Sequence, residues 1–493
     1  MMVVEFLPFA LVVFTLVGAF IMPFFARWFT RGCIPLTLGV LGLDIFMAVT
    51  LLMGVMNRGP VAYYIGGWAA PWGIEVRGDG IAAIMVLLIS FIMFCTMVYG
   101  ASSIEKELPA GRGGWYCSLL LLISAGMMGL VVSGDLFNMY VMIEVVSLSS
   151  VALVLAKGGR EVLPAALKYL LLATIGSGFI LFGIGFTYIL TGHLNIGFAA
   201  AELMASGGDY PYLSWVALTF LVIGLGVKAG LFPLHFWLPD AHSAAASTSS
   251  AVLSGLVVKV YAVVVMRLFF QLYSSELLLA TDIDRILLVM SIAAILAGSL
   301  FALIQKDLKR LLAYSTVAQI GYIFLGISVF SILGLEGAIF HIVAHALMKS
   351  MLFLAAGSLI ARAGSRQIED LRGFGRVMPF TAGIFSLGAF SMIGLPLLAG
   401  FISKYLLAIA GWDSGNYLVL PLMVISGLLN AAYYLPVIRV LFWAGEKELP
   451  LRGEMEFGRV FALGALALGL LVMGVIPEAG RNFIQLAASW LWG

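Results

Sequence analysis

The stretch Gly224-Leu-Gly-Val-Lys228-Ala-Gly-Leu-Phe-Pro233-Leu-His235-Phe-Trp-Leu-Pro239-Asp-Ala-His242 decides how the chain is read. It starts as the end of a long apolar run, carries one lysine inside that run, and then meets two prolines. A charge at mid-bilayer costs about 2.5–3.5 kcal/mol even on the lenient insertion scale. Proline cannot continue a helix interior. An apolar span broken beside a charge is tolerable in a bilayer only where it is buried in protein or lines a wet cavity. That is the pattern of a transport core.

The rest of the chain agrees. Of 493 residues, 62% are hydrophobic and 11% charged, against about 25% charged in a soluble domain; the mean hydropathy is +1.10. This excludes a soluble enzyme and a disordered tail. The formal charge of +2 is too small to attract nucleic acid. Cys33, Cys95 and Cys117 are far apart and form no C-x-x-C pair, so they read as packing residues and not as Fe–S or zinc ligands. Residues 6–25 lack the short apolar region and cleavage site of a signal peptide and read as the first membrane span.

A spanning helix needs about 20 apolar residues. About fourteen runs qualify: roughly 5–25, 34–55, 80–100, 115–133, 136–156, 163–190, 212–231, 244–270, 285–304, 309–332, 335–362, 378–410, 417–443 and 459–477. Residues 57–79 read as an extramembrane hairpin, and the tail after Pro477 as a short, partly amphipathic segment. The fold class is therefore an all-α polytopic membrane protein.

Cation placement gives an orientation. Seventeen Lys and Arg fall on one side: Arg27, Arg31; Lys106, Arg112; Lys157, Arg160; Lys306, Lys309, Arg310; Arg362, Arg366, Arg372, Arg376; Arg439, Lys447, Arg452, Arg459. Five fall on the other: Arg58, Arg77, Arg267, Arg285 and Arg481. This puts both termini outside the cytoplasm. The remaining five cations, Lys168, Lys228, Lys259, Lys349 and Lys404, lie within predicted spans. Lys168 is near enough to a span end to snorkel; the other four are not explained that way.

An internal repeat is also indicated. Spans four to eight (115–270) and nine to thirteen (271–445) are offset by about 170 residues, and Lys228 and Lys404 are 176 apart, each beside a proline break. Residues 1–114 then hold the first three spans with the hairpin, and 446–493 the last span and tail.

Four places carry chemistry. Glu144 lies about two turns inside an apolar helix. Desolvation disfavours its carboxylate form, and a lysine within reach would let it ionise; a neutral Glu hydrogen-bonded to a neighbouring helix is the alternative. Lys228 would bind or release a proton as that carboxylate contact is made or broken. His235 and His242 read either as structural groups or as a proton route. His341, His345 and Lys349 recur at i, i+4, i+8, so with Lys259 they offer a polar stripe to the bundle interior. Histidine suits a relay; satisfied core histidines are the alternative, and zinc binding is disfavoured because no Cys or acid completes a site. Lys404, in Gly394-Leu-Pro396-Leu-Leu-Ala-Gly400-Phe-Ile-Ser-Lys404, has no acid within 311–330 to match Glu144.

These segments, with Gln305-Lys-Asp-Leu-Lys-Arg-Leu-Leu-Ala-Tyr-Ser-Thr-Val-Ala-Gln-Ile-Gly321, His341–Gly357 and Phe374-Gly-Arg-Val-Met-Pro379, resemble the antiporter-like subunits shared by Mrp-type cation/proton antiporters, respiratory complex I and membrane-bound hydrogenases. The resemblance runs from about 80 to 445 and implies fourteen helices, two inverted five-helix repeats, and broken spans seven and twelve. It implies Glu144 and Lys228 as an ion-pair switch, Lys259 and His345 as central relay and Lys404 as terminal proton site. The chain departs from the family pattern at Ala246, Leu397 and Val260-Tyr261, beside the charged positions and not at them. The region 374–404 and the short C-terminus look closest to the D-type member of the Mrp antiporters and its hydrogenase relatives.

The expected function is proton or sodium translocation in the cell membrane through Glu144, Lys228, Lys259, His341, His345, Lys349 and Lys404. The expected partners are other membrane subunits, including homologous antiporter-like ones. No cofactor or metal motif is present in the sequence, so any redox step would belong to partners. The alternatives are a proton-pumping subunit of an NADH-quinone oxidoreductase-like complex, and a non-conducting scaffold.

Overall fold

A backbone in hydrocarbon finds no water, so each passage must close its own hydrogen bonds as helix. The computed structural model describes residues 2–28, 32–206, 210–273, 275–443, 451 and 453–492. Its helices are α1 (Met2–Trp28), α2 (Cys33–Arg58), α3 (Gly80–Glu107), α4 (Gly113–Val132), α5 (Leu136–Leu155), α6 (Val162–Thr191), α7 (Ile196–Ser206), α8 (Pro211–Ala229), α9 (Leu238–Ala244), α10 (Ser247–Val252), α11 (Val258–Arg267), α12 (Ser275–Ala280), α13 (Ile283–Leu303), α14 (Leu308–Ser328), α15 (Ile332–Ala363), α16 (Phe374–Val377), α17 (Pro379–Ile393), α18 (Ala399–Asp413), α19 (Val419–Phe442), α20 (Phe457–Val475) and α21 (Glu478–Trp492). Among the described residues, thirteen helices are long and apolar enough to cross a bilayer. One of them, Ser247–Leu272, joins α10 and α11 through a π-turn at Leu253–Val257 and ends in a second at Leu268–Leu272.

A fourteenth passage is counted if the bent pair Ile368–Val377 and Pro379–Ile393, bent by 120° against each other, is taken as one span. α17 and α18 have 15 residues each, about 22 Å apiece and too short to span alone. Between them the chain turns at Gly394 (φ 93°) and Leu397 (φ 69°). α8 likewise ends at Gly230 in the left-handed region (φ 69°), before α9. Most passages thus fall within a few residues of the sequence reading, and the run 378–410 resolves into two helices. Span eight, beside Ala246 and Val260-Tyr261, runs on through its π-turn as one span.

Helix ends are set by short acids and hydroxyls. Asp79, Asp135, Asp307 and Ser331 accept from the backbone N–H three residues on, starting α3, α5, α14 and α15. Between α2 and α3, β1 (Val61–Tyr64) pairs antiparallel with β2 (Glu75–Gly78), Val61 opposite Gly78 and Tyr64 opposite Glu75, so the hairpin expected at 57–79 is present. The tail after Pro477 is the amphipathic helix α21. It does not project: Phe483, Ile484, Ala487 and Leu491 are buried, and Arg481 pairs at 2.6 Å with Glu336 of α15.

α10, α11, α14 and α15 form the centre, buried along almost their whole length. α1, α2, α6, α13, α19 and α20 surround them and turn apolar side chains such as Phe24, Phe46, Phe182, Val289, Leu428 and Leu468 outward. Close backbone approach lets the inner helices pack. A Cβ on Gly224 of α8 would meet the Gly176 carbonyl of α6 at 2.6 Å, and one on Gly321 of α14 the Ser291 carbonyl of α13 at 2.8 Å.

The charge inventory needs correction. Arg267 is not a loop cation: it is fully buried and bonds both Asp79 oxygens, at 2.8 and 2.9 Å, and the Val131 carbonyl. Lys309 and Arg459 are buried as well. Lys168 does not snorkel unpaired, since Asp240 lies 2.7 Å from it. Glu144, expected to be buried, keeps 31% of its side chain exposed, whereas Asp44, Glu75, Asp79 and Glu336 are buried acids that composition does not single out. Of the cations counted for orientation, Arg31, Lys447 and Arg452 lie outside the described residues.

Candidate functional site

Lys228 sits in the last turn of α8, where the helix stops at Gly230. Its ammonium is 3.8 Å from the Glu144 carboxylate of α5. It donates to Ser147 and to Ser177, both at 2.6 Å, and Ser177 in turn donates to Glu144. A buried charge needs a counter-charge and hydrogen bonds to its remaining protons; here one acid and two hydroxyls supply them.

The other buried lysines are held differently. Lys259 of α11 donates to the Ser254 carbonyl, inside the π-turn, where a shifted ladder leaves carbonyls off their α-helical partners. Lys349 of α15 donates to the Leu312 carbonyl at 2.7 Å and to Ser315, both on α14. Lys404 of α18 reaches back to the Met392 and Ile393 carbonyls at 2.9 and 3.0 Å, the free C-terminal carbonyls of α17. The Tyr322 ring lies 5.1 Å from it. Among the described residues none of these three lysines has a carboxylate within ion-pair distance.

The six cationic and imidazole groups expected to translocate protons are buried: Lys228, Lys259, His341, His345, Lys349 and Lys404. His341 and His345 stack with ring centroids 5.6 Å apart. His341 Nδ1 meets Ser403 at 2.9 Å. Both ring nitrogens of His345 and the amide of Gln319 find no partner among the described side chains and backbone, so their bonding capacity is open to water or a mobile proton.

Polar groups that composition could not rank surround these charges. Ser147 meets the Tyr261 hydroxyl at 3.1 Å, two residues from Lys259. Ser254 meets Thr316 of α14 at 2.8 Å, and α14 carries both acceptors of Lys349. Ser315 then meets Tyr434 at 3.0 Å. Beside it Tyr433 donates to Asn430, and Asn430 donates at 3.0 Å to the Met392 carbonyl that also holds Lys404. The hydrogen bonds fall into separate segments, Glu144–Ser177–Lys228–Ser147–Tyr261, Lys259–Ser254–Thr316, Lys349–Ser315–Tyr434 and Asn430–Met392–Lys404, with His341 on Ser403 and His345 bonded to none of them. Ser147, at i+3 from Glu144, could have been found by helical spacing; Tyr261, at i+2 from Lys259, shares no helix face with it, and Ser177, Tyr434 and Asn430 come from other helices, so these could not.

A helical membrane chain with discontinuous helices, one acid–lysine pair and a file of buried lysines defines the class of antiporter-like membrane subunits. Comparison with known proteins narrows this. Residues 133–430 match the family described as NADH:quinone oxidoreductase/Mrp antiporter, transmembrane. The chain is 37% identical over 484 residues to the N subunit of the NADH-quinone oxidoreductase of Desulforudis audaxviator, covering 94% of this chain and 96% of that one. It is 28% identical over 448 residues to the D subunit of the Na(+)/H(+) antiporter of Alkalihalophilus pseudofirmus, covering 90% and 88%. Its fold matches a chain of the membrane-bound sulfane sulfur reductase, an archaeal respiratory membrane complex, with a TM-score of 0.90, 29% identity and coverage of 98% and 97%. The chain belongs to the NADH:quinone oxidoreductase/Mrp antiporter family.

Proposed function

We propose that the chain is the proton-translocating, antiporter-like subunit of a multi-subunit complex in the cell membrane, with both termini extracytoplasmic. The observation that carries this is the Glu144–Ser177–Lys228 contact at the end of α8, together with Lys259, Lys349 and Lys404, each buried and held by carbonyls or hydroxyls. While Glu144 is close, Lys228 holds its proton; when the contact opens, a desolvated ammonium without its counter-charge favours release. The proton then passes along Lys259, Lys349 and the His341–His345 pair to Lys404, and re-forming the contact reloads Lys228. Protons are favoured over Na+ because ammonium and imidazole groups hand on protons, whereas a file of positive charge repels a metal cation.

Membership of this family supports other membrane subunits as partners, homologous ones among them. The resemblance to an antiporter subunit and to a respiratory-complex subunit leaves the energy source to those partners; co-purification of Fe–S or NiFe proteins would mark a redox complex. We further read 115–270 and 271–445 as the two repeated halves, since each contributes a discontinuous passage with a buried lysine.

The test is Lys228→Ala or Glu144→Ala in the assembled complex, assayed for pH-gradient formation in vesicles. Loss of the gradient with intact assembly is expected. An unchanged gradient would remove the mechanism and favour a scaffold.

A further inference from the structure

The loop end of the α8–α10 region is held by more ion pairs than a connection needs. α9 has seven residues and lies between two non-helical joints, Gly230–Trp237 before it and Ala245–Ala246 after it. Asp240 of α9 bonds Lys168 of α6 and Arg310 of α14, each at 2.7 Å. Its neighbours are tied as well. The Ser243 carbonyl accepts from Arg366 at 2.8 Å and the Ala245 carbonyl from the buried Lys309 at 3.0 Å. Glu107 of α3 accepts from the Ser247 N–H at 2.8 Å. Arg310, Lys309 and Arg366 belong to the cation-rich side, and Lys168 joins them from the start of α6.

On the inner side of α9 itself is His242. It is fully buried, neither ring nitrogen has a partner among the described side chains and backbone, and its ring lies 5.5 Å from that of Phe353, itself beneath the Lys349 ammonium. An unpartnered imidazole carried inward by a short helix that is clamped from outside, with the Phe353 ring between it and Lys349, is poorly explained as packing.

We propose that α9 is a gate between the aqueous cation-rich face and the buried lysines, and that Asp240 is its latch, a positioning residue that keeps the gate closed with His242 of the same helix turned inward. The inference rests on the proposed lysine relay for what passes through the gate. Three features make this a latch and not simply a brace. Asp240, Lys168 and Arg310 are each about a third to under a half exposed, and half-exposed pairs are individually weak, so the closed form can open. The two joints allow α9 to move as one piece. Lys168 lies on the helix that carries Ser177, and Arg310 on the helix whose Leu312 carbonyl and Ser315 hold Lys349. Rearrangement around Lys228 or Lys349 therefore pulls on the two arms of one carboxylate.

The experiment uses the purified assembled complex carrying Ala241→Cys, a position fully buried on α9, and a maleimide probe. The buried native Cys33, Cys95 and Cys117 report general loosening. Asp240→Asn is expected to raise labelling of residue 241 severalfold, as loss of two half-exposed pairs predicts, with the native cysteines still protected. Asp240→Glu should bring it back. Unchanged labelling in Asp240→Asn overturns the latch. Should that variant not assemble, Lys168→Gln with Arg310→Gln must give the same rise, and its absence overturns the proposal equally. In vesicles, Asp240→Asn should speed decay of an imposed pH gradient, and Lys349→Ala added to it should restore slow decay. Increased labelling with decay indifferent to Lys349 keeps the latch and overturns the relay.

Discussion

The Lys228 ammonium stands 3.8 Å from the Glu144 carboxylate, and the Ser177 hydroxyl is bonded to both. The ammonium donates to the hydroxyl and the hydroxyl donates to the carboxylate, so the hydrogen-bond directions already run from donor to acceptor. Ser177→Ala keeps both charges and removes the bridge. A hydrogen bond to a charged group contributes about 1.5–3 kcal/mol, so the initial rate of pH-gradient formation by the complex in vesicles should fall about tenfold or more. A parental rate would mean that the pair needs no hydroxyl between its members.

Lys404 offers a different kind of site. Its partners are two carbonyls and an aromatic face, which stabilise a cation without supplying a base. If it carries a proton it must be able to lose one. Lys404→Met removes the group, and Lys404→Arg keeps the charge but cannot deprotonate in a protein. Both should lower turnover by roughly a hundredfold or more, the usual scale for a proton-transfer group. An active Lys404→Arg variant would make the position a fixed charge and not a relay.

The passages can be read from sequence because a bilayer fixes helix length, and the buried lysines because a charge in an apolar run is conspicuous by itself. The partners cannot be read, because they come from other helices. Nothing near Arg267 in the chain announces that Asp79, from α3, closes on it. Lys168 and Arg310 both end on Asp240, although by sequence one reads as intramembrane and the other as a loop cation. Glu144 stands out as one acid in an apolar helix, but its remaining exposure depends on how α5 and α6 meet. The π-turn beside Lys259 could not be read either, because it frees a carbonyl without ending the helix.

Arg267 should be a stability determinant and not a relay group. It is buried, and its guanidinium spans Asp79 and the Val131 carbonyl, joining α11 to the ends of α3 and α4. Removing one member of such a pair leaves the other desolvated, at about 3–5 kcal/mol. Arg267→Ala should markedly lower the thermal midpoint of the detergent-solubilised complex. Adding Asp79→Ala should recover part of the loss, giving a non-additive cycle. Additive losses would mean that the two residues do not stabilise each other.

Gly224 tests whether the spacing of α6 and α8 sets the switch. A Cβ there would lie 2.6 Å from the Gly176 carbonyl and 2.6 Å from Ile180 Cγ1. Backbone cannot yield as a flexible side chain does, so Gly224→Ala should push the two helices apart at an overpacking cost of about 1–3 kcal/mol. Gly176 precedes Ser177, and Gly224 is one turn before Lys228, so the same displacement draws the bridging hydroxyl away from the ammonium. Both the thermal midpoint and the rate of gradient formation should therefore fall. Gly178→Ala and Gly185→Ala on α6 are the controls, because a Cβ at either meets nothing within 4 Å, and both should behave as the parent. A stable Gly224→Ala complex with full transport would mean that the helices relax without disturbing Lys228, and the close approach would then be packing alone.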